Sequence, residues 1–175
     1  VVRLYKLLSV LLEYPTAEFI EHLGEIEGTI PALEQAIGED REALRTFLAW
    51  ARGLPPTELQ AHYVKTFDLS PDNALYLTHH LFEEQDRARG PALVRLSEYF
   101  TQQGFEIDRG ELPDYLPLIL EYVSTLPDMA SARHFLEQTT DVANVLAKNL
   151  AAMESPYAAL LSIVARHGRI SELAA

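Results

Sequence analysis

Cysteine is missing from all 175 residues, which removes disulfides, thiolate catalysis and cysteine metal sites together. Such a chain needs no oxidising compartment. Positive charge is also scarce: 14 Lys and Arg stand against 26 Asp and Glu, a net charge of −12. That balance argues against a nucleic-acid binder, because phosphate contacts need clustered Lys and Arg, and against docking on an anionic membrane surface. A basic peptide or basic protein surface is the partner such a field attracts. No uninterrupted apolar run approaches the ~20 residues of a membrane helix, and the opening Val1-Val-Arg-Leu-Tyr-Lys-Leu-Leu lacks the small-residue cleavage site of a secretory signal. No stretch sustains strict alternation with hairpin turn chemistry, so strands are not expected.

What remains is an ordinary globular composition, 48% hydrophobic and 23% charged. The length fits one domain spanning residues 1–175, long enough to bury about two thirds of its unfolded surface. Apolar residues recur at helical spacing along most of it, and the expected fold is all-α, a single compact bundle of roughly eight to ten helices. Leu4, Leu7, Leu8, Leu11 and Leu12 mark a first helix that Pro15 ends, and Thr16 caps a second running to about Glu27. Pro31 to Ile37 reads as a short helical piece, and Asp40 as the N-cap of a helix that stops at Gly53. The sole tryptophan, Trp50, is expected to be at least half buried. Pro55-Pro56-Thr57 and Ser70-Pro71 are further start signals. Glu83 to Gly90 reads as a charged turn, Pro91 to Gln103 as an amphipathic helix, and Phe105 to Gly110 as a loop. Asp128 caps a long helical region with a break near Thr139-Thr140; Ser155-Pro156 caps the last helix, which stops at Gly168 before a frayed tail.

Candidates for catalysis are thin. His79 and His80 are adjacent, about 100° apart on a helix, whereas joint zinc ligation in the metalloprotease pattern needs positions i and i+4 with a catalytic Glu between. His62, His134 and His167 have no ligand pair nearby in sequence. With no glycine-rich phosphate loop and no nucleophile elbow, the chain is read as a non-enzyme without metal or cofactor.

The most informative stretch is Glu111-Leu-Pro-Asp-Tyr-Leu-Pro-Leu-Ile-Leu-Glu-Tyr122. Tyr115, Leu116, Ile119, Tyr122, Val123 and Leu126 keep helical phase, and on that wheel Asp114 and Glu121 share one line, two turns and about 10 Å apart. Asp114 reads as the helix N-cap, its carboxylate taking the Leu116 N–H, or as a charge offered to a bound cation. The tyrosines and Phe67 suit either a core or a recognition groove, since each tyrosine joins apolar area to a polar tip.

These twelve residues resemble the signature of the nitrate reductase delta-subunit chaperones of NarJ type, which are related to the TorD and DmsD chaperones of molybdoenzymes. Glu111, Pro113 and Asp114 match only loosely the Glu-Pro-x-Asp-His core of the related families, with Tyr115 where His is usual. Leu11-Leu-Glu-Tyr-Pro15, Tyr63-Val-Lys-Thr-Phe-Asp-Leu69, Arg89-Gly-Pro-Ala-Leu-Val94 and Glu154-Ser-Pro-Tyr-Ala158 extend the likeness over nearly the whole chain. The resemblance implies a TorD-like helical fold and a cytoplasmic chaperone. Its client is the apo catalytic subunit of a molybdoenzyme, respiratory nitrate reductase or a relative. It grips the client's basic, amphipathic N-terminal segment while the molybdenum cofactor is inserted. A peptide-binding set of Tyr63, Phe67, Asp68, Tyr76, Glu111, Pro113, Asp114, Tyr115, Glu121 and Tyr122 is expected on that reading. A nucleotide-binding regulator and a constitutive structural subunit of the reductase are the alternatives.

Overall fold

The computed structural model describes residues 3–83, 85–107 and 110–168, without the side chain of Gln138. The readings made for Glu84, Asp108, Arg109 and the tail beyond Gly168 lie outside these residues. The architecture is all-α: among the described residues there are ten α-helices and no strand. The helices are α1 (Arg3–Leu12), α2 (Ala17–Glu21), α3 (Leu23–Thr29), α4 (Gly38–Arg52), α5 (Pro56–Tyr63), α6 (Leu77–Leu81), α7 (Arg89–Gln102), α8 (Leu116–Thr125), α9 (Met129–Ala152) and α10 (Tyr157–Gly168). Their buried apolar side chains join into one cluster.

Two long-range pairings set the frame. The leucine face of α1 packs along α8, with Lys6 paired to Glu121 near the middle of both helices. At the end of α1, the carbonyl of Leu12 meets Tyr63, which bonds Tyr115 just before α8. The two helices therefore run antiparallel. Helices α9 and α10 form a tight hairpin, and α10 also lies on α4 and α1. Glu154 (φ 54°) turns the hairpin, so that the Ser155 N–H donates to Leu150 O (2.9 Å). Helix α7 packs less closely: only Phe100 is buried, within a ring set of Tyr99, Phe105, Tyr122 and Phe135.

The helix start and stop signals were partly overridden. Thr16 does cap α2, but the helix breaks at His22 before α3. The Pro31 piece is one 3-10 turn, Ile30–Ala32. Asp40 is the third residue of α4 rather than its N-cap: its carboxylate reaches back to the Ile37 N–H (3.0 Å). Ser70-Pro71 starts only a 3-10 turn, while α5 passes into a π turn, Val64–Asp68. Helix α7 begins two residues ahead of Pro91, which occupies its first turn, where a missing N–H costs nothing. Asp128 caps α9 as expected, through Ser131 N–H (2.8 Å). No break occurs at Thr139-Thr140: α9 runs through, and Thr140 Oγ1 donates back to Leu136 O (3.2 Å) within the turn. Ser155 does not cap α10 with its hydroxyl, which has no partner among the described residues.

The α9–α10 hairpin closes most tightly at Gly168, where an added Cβ would stand 2.4 Å from Thr140 Oγ1. Gly168→Ala is expected to lose about 1–3 kcal/mol by overpacking, read as a lower urea midpoint. Adding Thr140→Ala should restore most of it; a double variant no more stable than the single one would contradict the steric account.

Candidate functional site

The central motif opens as extended chain rather than helix. Tyr115 (φ −66°, ψ 119°) pairs with Tyr76 in an isolated antiparallel bridge, built by Leu77 N–H to Asp114 O (3.0 Å) and Leu116 N–H to Leu75 O (2.8 Å). Helix α8 then starts at Leu116, with Pro117 in its first turn, where no N–H is needed. This overturns the expected N-cap role of Asp114, because the Leu116 N–H is spent on Leu75. Asp114 instead caps α6: its Oδ2 accepts from the Thr78 N–H (2.9 Å) and from the Thr78 hydroxyl. Arg89 Nε donates to that hydroxyl in turn (2.9 Å), linking α7 to the motif. Asp114 is 1% exposed, and its Oδ1 has no partner among the described residues.

The motif therefore has two faces. On one, Asp114 lies in the wall of a groove of about 610 Å³ between α6, α7, α8 and α9. Leu77, Leu81, Leu96, Tyr99, Ile119 and Phe135 supply its apolar lining, and Arg95, His134 and Glu137 its polar border. Leu81 and Tyr99 remain exposed there.

On the other face, tyrosines and acids line the seam between α1 and α8. Tyr63 donates to Leu12 O (3.1 Å), so the bond between the Tyr63 and Tyr115 hydroxyls (2.9 Å) takes its proton from Tyr115. Tyr76 donates to Glu111 Oε1 (3.1 Å), and its ring lies 5.2 Å from that of Tyr115. Burial, then the Glu111 charge, pushes the Tyr76 phenol up to about 12. Burial raises Tyr63 and Tyr115 as well, so all three stay neutral donors. Asp68 is exposed beside this set, and its charge adds to the upward shift of Tyr63 and Tyr76. Glu13 lies between Glu121 and Glu111: burial first, then these two carboxylates, raise its pKa, against a lowering by Lys6.

Asp114 and Glu121, placed on one line by the helical wheel, consequently point to opposite faces. The wheel fails because Asp114 precedes the helix. Phe67, Pro113 and Tyr122 are buried, and Tyr122 turns its hydroxyl to Tyr99 (3.1 Å) behind the Asp114 groove. What the sequence reading missed is Thr78, which bonds Asp114 from far away in the chain, and Arg89, which bonds Thr78. No set of three or more His, Cys, Asp or Glu able to hold a metal occurs among the described residues.

The raised Glu13 pKa has a sign that can be checked. The folded protein holds this proton more firmly than the unfolded chain, so the carboxylate's unfavourable contribution is present above the raised pKa and disappears as pH falls through it. Glu13→Gln is therefore expected to leave neutral-pH stability unchanged or raise it, by no more than about 1 kcal/mol. A lower unfolding midpoint at pH 7 would show that the carboxylate is held favourably instead.

The family model for the nitrate reductase delta subunit matches residues 30–162. Over 158 residues the chain is 35% identical to the nitrate reductase molybdenum cofactor assembly chaperone NarJ of Escherichia coli K12, covering 90% of this chain and 66% of that protein. The chain thus spans just under two thirds of that relative's length. It is 36% identical over 162 residues to the probable NarJ of Bacillus subtilis 168, covering 91% and 85%. It is 29% identical over 160 residues to the nitrate reductase-like protein NarX of Mycobacterium tuberculosis H37Rv, covering 91% of this chain and 23% of that protein.

Proposed function

The chain belongs to the nitrate reductase delta subunit family, and from that premise we propose that it is a dedicated assembly chaperone. Its client is the apo catalytic subunit of a molybdoenzyme, respiratory nitrate reductase first among candidates. It binds the client's N-terminal segment, keeps the cofactor cavity open while the molybdenum cofactor enters, and then leaves. It does so in the cytoplasm and performs no reaction of its own. Among the described residues no helix is long and apolar enough to cross a membrane.

One observation carries the reading: an apolar groove whose wall holds a buried carboxylate with an unpartnered oxygen, on the stretch most specific to the family. An amphipathic segment lays its apolar side against Leu81, Leu96 and Tyr99 and brings a Lys or Arg to Asp114. The seam of Glu13, Asp68, Glu111 and Glu121 is part of a net charge of −12, which draws the basic segment in from a distance. Affinity should accordingly fall as salt rises.

The test is capture of the apo catalytic subunit from cells, with and without its first few tens of residues. Loss of capture on truncation is expected. Retention at full yield by the truncated client, or recovery of the chain in stoichiometric amounts with mature reductase, overturns the proposal. Calorimetry with the isolated segment at low and high salt examines the acidic part separately.

A further inference from the structure

A second groove, about 710 Å³, lies away from the motif, between α4 and the start of α10. Phe47, Trp50, Pro156 and Ala159 are among its apolar lining residues, and Glu39 and Glu42 stand one turn apart on its rim. Helix α4 presents these residues at intervals of three and four, from Glu39 to Trp50, a wall of roughly 16 Å. Trp50 is only partly buried, with its ring held against Phe47, His62 and Tyr157. A half-buried indole on a largely apolar wall with an acidic rim is the composition of an interface centre.

Two observations say what covers it. Ser155, 8% exposed, also lines the groove, and its hydroxyl has no hydrogen-bond partner among the described residues. A buried hydroxyl left unpaired is costly, and an occupant supplying a polar group removes that cost. The charge on the rim is negative. Glu39 is already paired with Arg166 (2.7 Å), whereas exposed Glu42 has no ion pair among the described residues. We infer that this groove docks a basic amphipathic helix of about three turns from a protein partner, its apolar side over Trp50 and Ala159, a cation at Glu42 and a polar group at Ser155. This surface is separate from the Asp114 groove and does not depend on what fills the latter.

Trp50 is the only tryptophan, so its emission reports occupancy directly. The probe is a synthetic 14-residue helix of Leu, Ala and Lys with its leucines on one side, compared with a twin carrying Glu for Lys. The Lys peptide should shift Trp50 emission to shorter wavelength saturably, and the Glu twin should not. Glu42→Lys should weaken the Lys peptide about tenfold, and Ala159→Phe, which fills the groove, should abolish the response. Ser155→Ala should cost a fewfold in affinity without lowering the unfolding midpoint. Asp114→Asn should leave this titration unchanged, which separates it from client capture. Any of three results overturns the inference: no emission change, an equal response to both peptides, or wild-type affinity in Glu42→Lys. Because Glu42 is exposed, the last holds even where Ala159→Phe disturbs the fold.

Discussion

In an Asp40→Ala variant the thermal unfolding midpoint is expected to fall by on the order of 10 °C, the counterpart of about 3–5 kcal/mol. The Asp40 carboxylate is fully buried and has three partners: the Ile37 N–H, Arg166 Nη1, and His167 Nε2 (2.7 Å). His167 is itself nearly buried, and its carbonyl accepts from the Tyr5 hydroxyl (3.0 Å). One side chain thus joins the beginning of α4 to the end of α10 and, through Tyr5, to α1. Removing it leaves the buried His167 imidazole without its partner, takes from Arg166 one of its two carboxylates, and frees the Ile37 N–H just before α4. Asp40→Asn keeps an acceptor for Ile37 but gives up the charge, so its loss should be smaller. Urea and thermal unfolding of both variants decide the matter. Equal midpoints for Asp40→Ala and the parent would mean that this link contributes nothing.

The second large effect concerns Asp114, where stability and recognition can be pulled apart. Asp114→Ala removes the cap of α6 and leaves the Thr78 N–H without an acceptor, for a loss of about 1–3 kcal/mol. Asp114→Asn retains an oxygen for Thr78 and should cost less. If the carboxylate meets a cation of the client segment, both variants should bind that segment on the order of 30-fold more weakly or worse, since removing one partner of a buried charge pair typically costs 2 kcal/mol or more. Calorimetry with the client segment reads affinity, and thermal unfolding reads stability. Full affinity in Asp114→Asn would leave Asp114 a purely architectural residue.

The contrast between these two carboxylates shows how far the sequence carries. The faces of α1, α4, α9 and α10 are legible because leucine spacing reports a local period. Thr16 and Asp128 are legible as caps because the N–H groups they hold lie three residues on. Asp40 and Asp114 look like the same kind of residue, yet each is fixed by partners elsewhere. Asp40 meets Arg166 and His167, and Asp114 meets Thr78. No window on the chain contains both members of such a pair. Tyr115 and Tyr122, seven residues apart, share a face only if both are helical. The bridge to Tyr76 holds Tyr115 in extended chain, so one tyrosine joins the acidic seam and the other the aromatic ring set. The Asp114 groove needs four helices to exist, which is why its lining could not be listed beforehand. The two faces of the motif were not readable either: the sequence reading put its tyrosines and acids into one groove, with Asp114 and Glu121 on one line.

The interlocking of the bundle has a consequence for the protein's own birth. Helix α1 finds its main support in α8, and α4 leans on α10, so the first half of the chain has little to pack against until the second has been made. During synthesis the early leucine-rich helices must wait with their greasy sides uncovered, and the globule can close only after α10 has left the ribosome. Ribosome-bound chains halted before α8 should accordingly be cut by protease, whereas chains released after α10 should resist it.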